Sequence, residues 1–343
     1  MKPDISLTER EEAILQAVVD VYVKTAEPVG SRAIALRYKL GLSSATIRNT
    51  MQDLEERGVL VQPHTSAGRV PTDLGYRYFV DKLLRPEALT EVESTEIRRE
   101  VEHDPVALHE ILDQTSRVLS RLTNQLGVSV APAFEKGVLH RIDLVQVTSS
   151  RVLVIIAVRS GLARTLLLEV DTEISAARLD ETRRQLNERL AGLTLAEVQR
   201  TAAERLRDTQ GEPRLVKMFI ESSERLITFQ ESDDLHLDGA SKIMVQPEFR
   251  DTTSLSGLLQ VIEDRAHLLE RLKANEAGEG IVITIGEEFD DLDLANCAVV
   301  TSTYKVGRVT GTIGVLGPKR MPYSKLVSIV DYTSHVLTKV FSS

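Results

Sequence analysis

The sequence predicts an α+β multidomain protein that begins with a winged helix-turn-helix. Three observations predict it. Between Pro28 and Pro71, caps, apolar stripes and turn residues follow one another in the order short helix, tight turn, longer helix, hairpin. From Pro28 through Gln52 the charged residues are Arg32, Arg37, Lys39 and Arg48, with no acid among them, although the chain of 343 residues carries a formal charge of -9. Farther on, strand-like runs give way to helical stripes and then resume, the pattern of an α+β body carrying an insertion.

Each N-terminal element has its own signal. Thr8 caps a helix over Glu9 to Thr25 that puts Ile14, Leu15, Val18, Val19 and Tyr22 on one face. Ser31 is placed to cap a shorter helix, Arg32 to Tyr38, whose first turn presents backbone N–H groups to a phosphate. Gly41 makes the turn that follows. Ser43 or Ser44 then caps a longer helix, and Ile47, Met51 and Leu54 recur at i, i+4 and i+7, so they face a core. Gly58 suits the left-handed residue past its end.

The opposite face of that helix carries Ala45, Arg48, Asn49 and Gln52. A recognition helix meets base edges with its N-terminal half, where Arg pairs with guanine, Asn with adenine, and an Ala methyl touches thymine. Ser43, Ser44, Ala45, Thr46, Arg48, Asn49 and Gln52 are therefore the candidate reading surface, with Ser31 and Arg32 beside it; acids appear only from Asp53 onward. Val59 to Gln62 and the run Pro63-His64-Thr65-Ser66-Ala67-Gly68-Arg69-Val70-Pro71 read as a hairpin with an acid-free tip, a wing. Arg69, Thr65 and Ser66 are its candidate DNA contacts. His64 joins them with equal weight given to a turn histidine without a role.

Charge is divided to match. Residues 1–85 hold 12 basic and 11 acidic side chains, and the remainder holds 30 and 40. A locally cationic stripe on an acidic body attracts phosphates without indiscriminate sticking.

Beyond the wing, Thr72 caps a helix to about Leu84, and Arg85-Pro86 marks a domain boundary. Asp104-Pro105 opens a helix with Leu108, Ile111, Leu112, Thr115, Leu119, Leu122 and Leu126 on one face and Gly127 at its end. Extended runs at 140–147, 151–158 and 165–170, with Ser149-Ser150 and Ser160-Gly161 at the turns, form a meander. Helical character fills 174–231, extended character returns at 242–246, and a helix follows through Leu255, Leu258, Leu259, Ile262, Ala266 and Leu269. Strands at 281–285, 298–304 and 309–316 precede a last helix through Leu326, Ile329, Val330, Thr333, Leu337 and Val340.

Catalysis finds no support. Gly311, Gly314 and Gly317 sit in a strand-like run and open no helix, so they are not a dinucleotide fingerprint. The chain lacks His-Glu-x-x-His, Cys-x-x-Cys and Gly-x-Ser-x-Gly. The carboxylates Glu287, Glu288, Asp290, Asp291 and Asp293 lack calcium-loop spacing and read as an exposed acidic loop. No metal and no cofactor are expected. A lone Cys297 gives no disulfide framework, and without a signal peptide or an apolar run near the ~20 residues needed to span a bilayer, the expectation is a soluble cytoplasmic protein with no membrane partner.

Several runs carry a family resemblance: Leu7-Thr8-Glu9-Arg10, Glu27-Pro28-Val29-Gly30-Ser31, Gly41 to Asn49, Pro63 to Arg69 and Pro71 to Arg77 at one end. Ile285-Gly286-Glu287-Glu288, Cys297 to Tyr304 and Gly314 to Met321 continue it at the other. Together they resemble the heat-inducible transcription repressor HrcA family. The resemblance implies a GAF-like α+β domain interrupted by a helical dimerisation insertion. The divisions expected are 1–85 for the winged helix, 86–172 plus 240–343 for the GAF-like domain with its connecting helix, and 173–239 for the insertion. It further implies a homodimer on double-stranded operator DNA, an inverted repeat of CIRCE type upstream of chaperone genes, and a GroEL-type chaperonin as the partner that maintains activity until heat shock. The alternative is a repressor gated by a small molecule in the GAF-like domain.

Overall fold

The computed structural model describes residues 5–102, 108–159, 162–170, 173–227, 234–274 and 280–342. The turn at Ser160-Gly161 and the opening Asp104-Pro105 lie outside them.

Helix α1 (Glu9–Thr25) starts where the sequence places it. The Thr8 side chain accepts from the Glu11 N–H while Glu11 returns a carboxylate oxygen to the Thr8 N–H at 2.7 Å, a complete capping box. Then come α2 (Ser31–Arg37), α3 (Ser44–Glu56) and a minimal hairpin of β1 (Leu60–Val61) with β2 (Val70–Pro71). Helix α4 (Asp73–Tyr78), capped by Thr72, runs on through a π-helical turn at Phe79–Leu83. Ile14, Leu15, Val18, Ile34, Ile47, Met51 and Leu54 fill the interior of this unit, and Tyr22 is only partly buried.

Three elements have no counterpart among the sequence-based expectations: a helix after Arg85-Pro86 and strands at 126–130 and 235–238. Helix α5 (Glu91–Val101) follows the Arg85-Pro86 stop and carries its own Thr90/Glu93 capping box. Helix α6 (Leu108–Thr123) ends at Asn124, whose φ of 56° is left-handed, before Gly127 is reached. Gly127 lies instead inside strand β3 (Leu126–Val130).

Strands β4 (Leu139–Thr148), β5 (Arg151–Val158) and β6 (Ala163–Glu169) form the expected meander, but as a separate three-stranded sheet. Its inner face packs on α7 (Ala176–Leu190), α8 (Leu195–Arg205) and α9 (Pro213–Ile227) in a core of its own, with Leu139, Ile156, Leu186, Val198 and Phe219 buried. Asn187 on α7 acts as an extra rung beside β4, accepting from Ile142 N–H at 2.8 Å and donating to its carbonyl at 2.7 Å. The inserted unit thus includes the meander that the sequence reading assigned to the larger domain. The reason is physical: three short strands cannot bury an apolar face without the helices that follow them.

The larger domain is built on a five-stranded antiparallel sheet. Strand β7 (Leu235–Asp238) precedes α10 (Ala240–Met244), which replaces the extended segment expected at 242–246. A 3-10 turn at Pro247–Phe249 leads to α11 (Thr252–Glu263) and α12 (Arg265–Ala274), one expected helix broken at Asp264. Strands β8 (Ile281–Ile285), β9 (Cys297–Val306) and β10 (Val309–Pro318) and helix α13 (Tyr323–Val340) complete the fold. The sheet order is β7-β3-β10-β9-β8, so the first and last parts of the domain meet at its centre.

Helices α10 to α12 cover one face of that sheet and α6 and α13 the other. The second layer is continuous with the winged helix: one buried cluster runs from Leu15 and Leu54 through Tyr76 and Phe79 to Leu326 and Ile329. Arg85-Pro86 ends a helix without separating two cores. Cys297, wholly buried at the start of β9, has its thiol pushed up to about 12 by burial. Folded protein is therefore expected to resist iodoacetamide at neutral pH and react once unfolded; rapid alkylation of the native chain, followed by mass spectrometry, would contradict the burial.

Candidate nucleic-acid interface

Helix α3 divides as its sequence pattern requires. Ile47 and Leu54 are fully buried and Met51 nearly so, while Ala45, Arg48, Asn49 and Gln52 are exposed. Ser43 is the N-cap, accepting the Thr46 N–H at 3.1 Å, with its hydroxyl 2.9 Å from that of Thr46. Thirteen residues give about 20 Å of helix, enough to lie along a major groove. Thr50 is buried and donates back to the Thr46 carbonyl at 3.2 Å, so it takes no part in the exposed face. Beyond Gln52, whose amide lies 3.4 Å from Glu56, the helix turns acidic.

Helix α2 departs from expectation at its start. Gly30, not Ser31, is the N-cap, and no side chain closes it. Ser31 is the first helical residue, and its hydroxyl stands 3.1 Å from that of Ser44. This contact draws the two helix N-termini together, so Arg32, exposed on α2, shares a surface with the start of α3. Arg37 and Lys39 are exposed as well. Gly41, with φ of 67°, makes the left-handed turn between the helices, and Gly58, with φ of 73°, makes the one after α3.

The wing is braced from within. Gln62 donates to the carbonyls of Thr65 at 3.0 Å and Ala67 at 2.9 Å, and the Ala67 N–H closes a turn on His64 at 2.8 Å. His64, Thr65 and Ser66 are exposed at its tip. Arg69 is placed differently. Its Nε donates to Glu55 at 2.8 Å with the side chain only 18% exposed, and its backbone pairs with Val29 in both directions at 2.9 Å. It belongs to the wing's base, tying α3, the wing and the lead-in to α2. The sequence signal missed here was Glu55, one helical turn beyond Met51 and level with the returning strand.

The acidic loop is exposed at Glu287, Glu288, Asp290 and Asp293, as expected, and two of its carboxylates are engaged. Glu288 pairs with Arg77, and Asp291, 10% exposed, meets His267 Nε2 at 2.6 Å. Those bonds hold the Asp291 carboxyl low against the burial that opposes them. No helix among the described residues is long and apolar enough to cross a membrane.

Comparison with known proteins agrees with this layout. Residues 6–82 match the family described as "Winged helix-turn-helix transcription repressor, HrcA DNA-binding", and residues 109–327 match "HrcA protein C terminal domain". The chain is 38% identical to the heat-inducible transcription repressor HrcA of Chlorobium phaeobacteroides over 98% of its own length and 99% of the relative's. It is 39% identical to that of Symbiobacterium thermophilum, over 97% and 98%. The relatives are named as transcription repressors, not enzymes. A crystal structure of a hypothetical protein shares the fold with a TM-score of 0.62 at 24% identity, covering 98% of this chain and 99% of that one.

Proposed function

The chain belongs to the HrcA family, and from that premise we propose that it is a dimeric, sequence-specific repressor of chaperone genes in the cytoplasm, reading an inverted-repeat operator of CIRCE type. The observation that carries the reading is the acid-free exposed face of α3, Ala45, Arg48, Asn49 and Gln52, standing beside an exposed wing tip. One such unit covers one half-site, and inverted repeats are read by two-fold pairs whose helices lie roughly 34 Å or a multiple apart. A GroEL-type chaperonin keeps the repressor competent, and unfolded protein that draws the chaperonin away after heat shock relieves repression. The DNA-competent population sets occupancy, so a fall in that population derepresses without any ligand.

Pairing of two copies is supported by the outer face of the inserted sheet. Val145, Leu153 and Leu167 stand in register across β4, β5 and β6, with Val145 46% and Leu167 44% exposed and Val147, 54% exposed, beside them. Leu167→Lys is expected to turn a dimer into monomer in sedimentation; a dimer that persists at micromolar concentration rejects this face as the contact.

The deciding experiment is a titration of purified protein onto a duplex bearing the inverted repeat and onto a scrambled duplex, at fixed salt, with and without chaperonin. Selective binding strengthened by chaperonin is expected. Selective binding indifferent to chaperonin removes the chaperonin from the reading and favours ligand gating. Equal binding to both duplexes defeats operator recognition.

A further inference from the structure

Several runs quoted for their family resemblance are not used by the DNA surface, and the structure brings them together from opposite ends of the chain. Arg77 on α4, with its side chain 14% exposed, donates to Glu288 at 2.7 Å and to the Ile283 carbonyl at 2.6 Å. Asp73, one turn earlier, accepts from Lys319 Nζ at 2.5 Å and from the Glu287 N–H at 3.0 Å. Between them Tyr76, 2% exposed, sets its ring against Tyr323 with centroids 6.1 Å apart. On the far side of the same joint Arg320, 12% exposed, donates to the Val23 carbonyl at the end of α1 at 2.7 Å and grips Glu248.

Helix α4 and the end of α1 therefore meet the β8 loop, the 3-10 turn at 247–249 and the β10–α13 turn through directional, largely buried charged contacts. An apolar patch alone permits sliding; forked arginine bonds to carboxylate and carbonyl fix an angle.

We infer that this joint is the element that fixes the orientation of the winged helix on the body, so that Arg77, Asp73, Lys319 and Arg320 determine the half-site spacing the repressor accepts, although none of them lies on the DNA-facing surface. In a dimer, two rigidly held winged helices engage both half-sites only when the spacer matches, and the gain from double engagement is lost where geometry forbids it. Loosely held units tolerate many spacers. The spacing consequence rests on the operator reading above; the locking does not.

The test has two arms. Spin labels at Leu36→Cys, on the exposed α2 face, and at Arg308→Cys, in the exposed turn after β9, report the angle of the winged helix to the body by pulsed resonance. Buried Cys297 stays unlabelled. The parent chain is expected to give a narrow distance distribution, and Arg77→Ala and Glu288→Gln each to broaden it. Glu288→Gln retains an oxygen for the Ile285 N–H, 3.0 Å away, and so keeps the loop closed if Arg77→Ala fails to fold.

In the second arm the unlabelled proteins are titrated onto a single half-site, the operator, and an operator whose spacer is lengthened by about half a helical turn, near 5 base pairs. The parent is expected to prefer the natural spacer by about tenfold or more, and the variants to lose most of that preference with half-site affinity unchanged. A mere loss of folded protein lowers all three affinities alike and overturns the inference. So does a distance distribution as narrow in both variants as in the parent, whatever the DNA result. A parent that binds operator and scrambled duplex equally defeats the operator reading and with it the spacing role, while the distances still decide the lock.

Discussion

Arg48→Ala is expected to weaken operator binding by about 1–3 kcal/mol, roughly five- to 150-fold, and to change binding to random duplex much less. The side chain projects from the exposed face of α3 one turn from its N-cap, between Ala45 and Asn49, and no salt bridge to it occurs among the described residues. An arginine so placed presents its fork to the acceptor edge of a guanine. The measurement is a titration of parent and variant on operator and scrambled duplexes at several salt concentrations. A base contact lowers affinity on operator alone. An equal loss on both duplexes, with the salt slope reduced by about one, assigns Arg48 to phosphate instead.

Gly68→Ala is expected to cost on the order of 3 kcal/mol of stability, from the steric overpacking it forces. A β-carbon at residue 68 would lie 2.4 Å from both the carbonyl carbon and the carbonyl oxygen of Val29, so backbone has to move. The movement breaks the paired Val29–Arg69 hydrogen bonds and, through Arg69, the contact to Glu55. The wing then loses its fixed place beside α3, and operator affinity falls with the melting temperature. Thermal unfolding followed by circular dichroism checks the first effect. A variant that melts with the parent shows that the lead-in to α2 yields at no cost.

Much of the winged helix was legible because its elements are local. Caps at Thr8 and Thr72 and the 47-51-54 stripe specify it within short windows and lie where the sequence put them, and of the two candidates Ser43 and Ser44 the structure uses Ser43. Ser31 falls one residue past the cap it suggests: serine outranks glycine as an N-cap, yet Gly30 holds that position with no side chain to close it. Arg69 was legible as a wing residue and not as the partner of Glu55, since charge pairing across a hairpin depends on register. Strand β3 escaped notice because Leu126 continues the apolar stripe of α6, and only a left-handed Asn124 and Gln125 separate them. Strand β7 is four residues long, and its pairing partner lies more than a hundred residues away. The boundary of the insertion was misjudged for a similar reason: which helices cover a meander is a tertiary fact that strand periodicity does not carry.

The buried cluster that passes from α1 and α3 through Tyr76 into α13 has a calorimetric consequence. A DNA-binding head on a flexible tether melts by itself, giving its own heat-absorption peak. Here the head shares its interior with the sheet domain, so the two belong to one cooperative unit, whereas the inserted sheet with α7 to α9, which keeps a separate interior, supplies a second. Scanning calorimetry is expected to resolve two transitions, and deleting the insertion in favour of a short linker should remove one of them. Warming past the transition of the shared unit would then not leave folded heads free to hold DNA: head and body go together, and repression ends as a threshold in temperature, not as a gradual loosening.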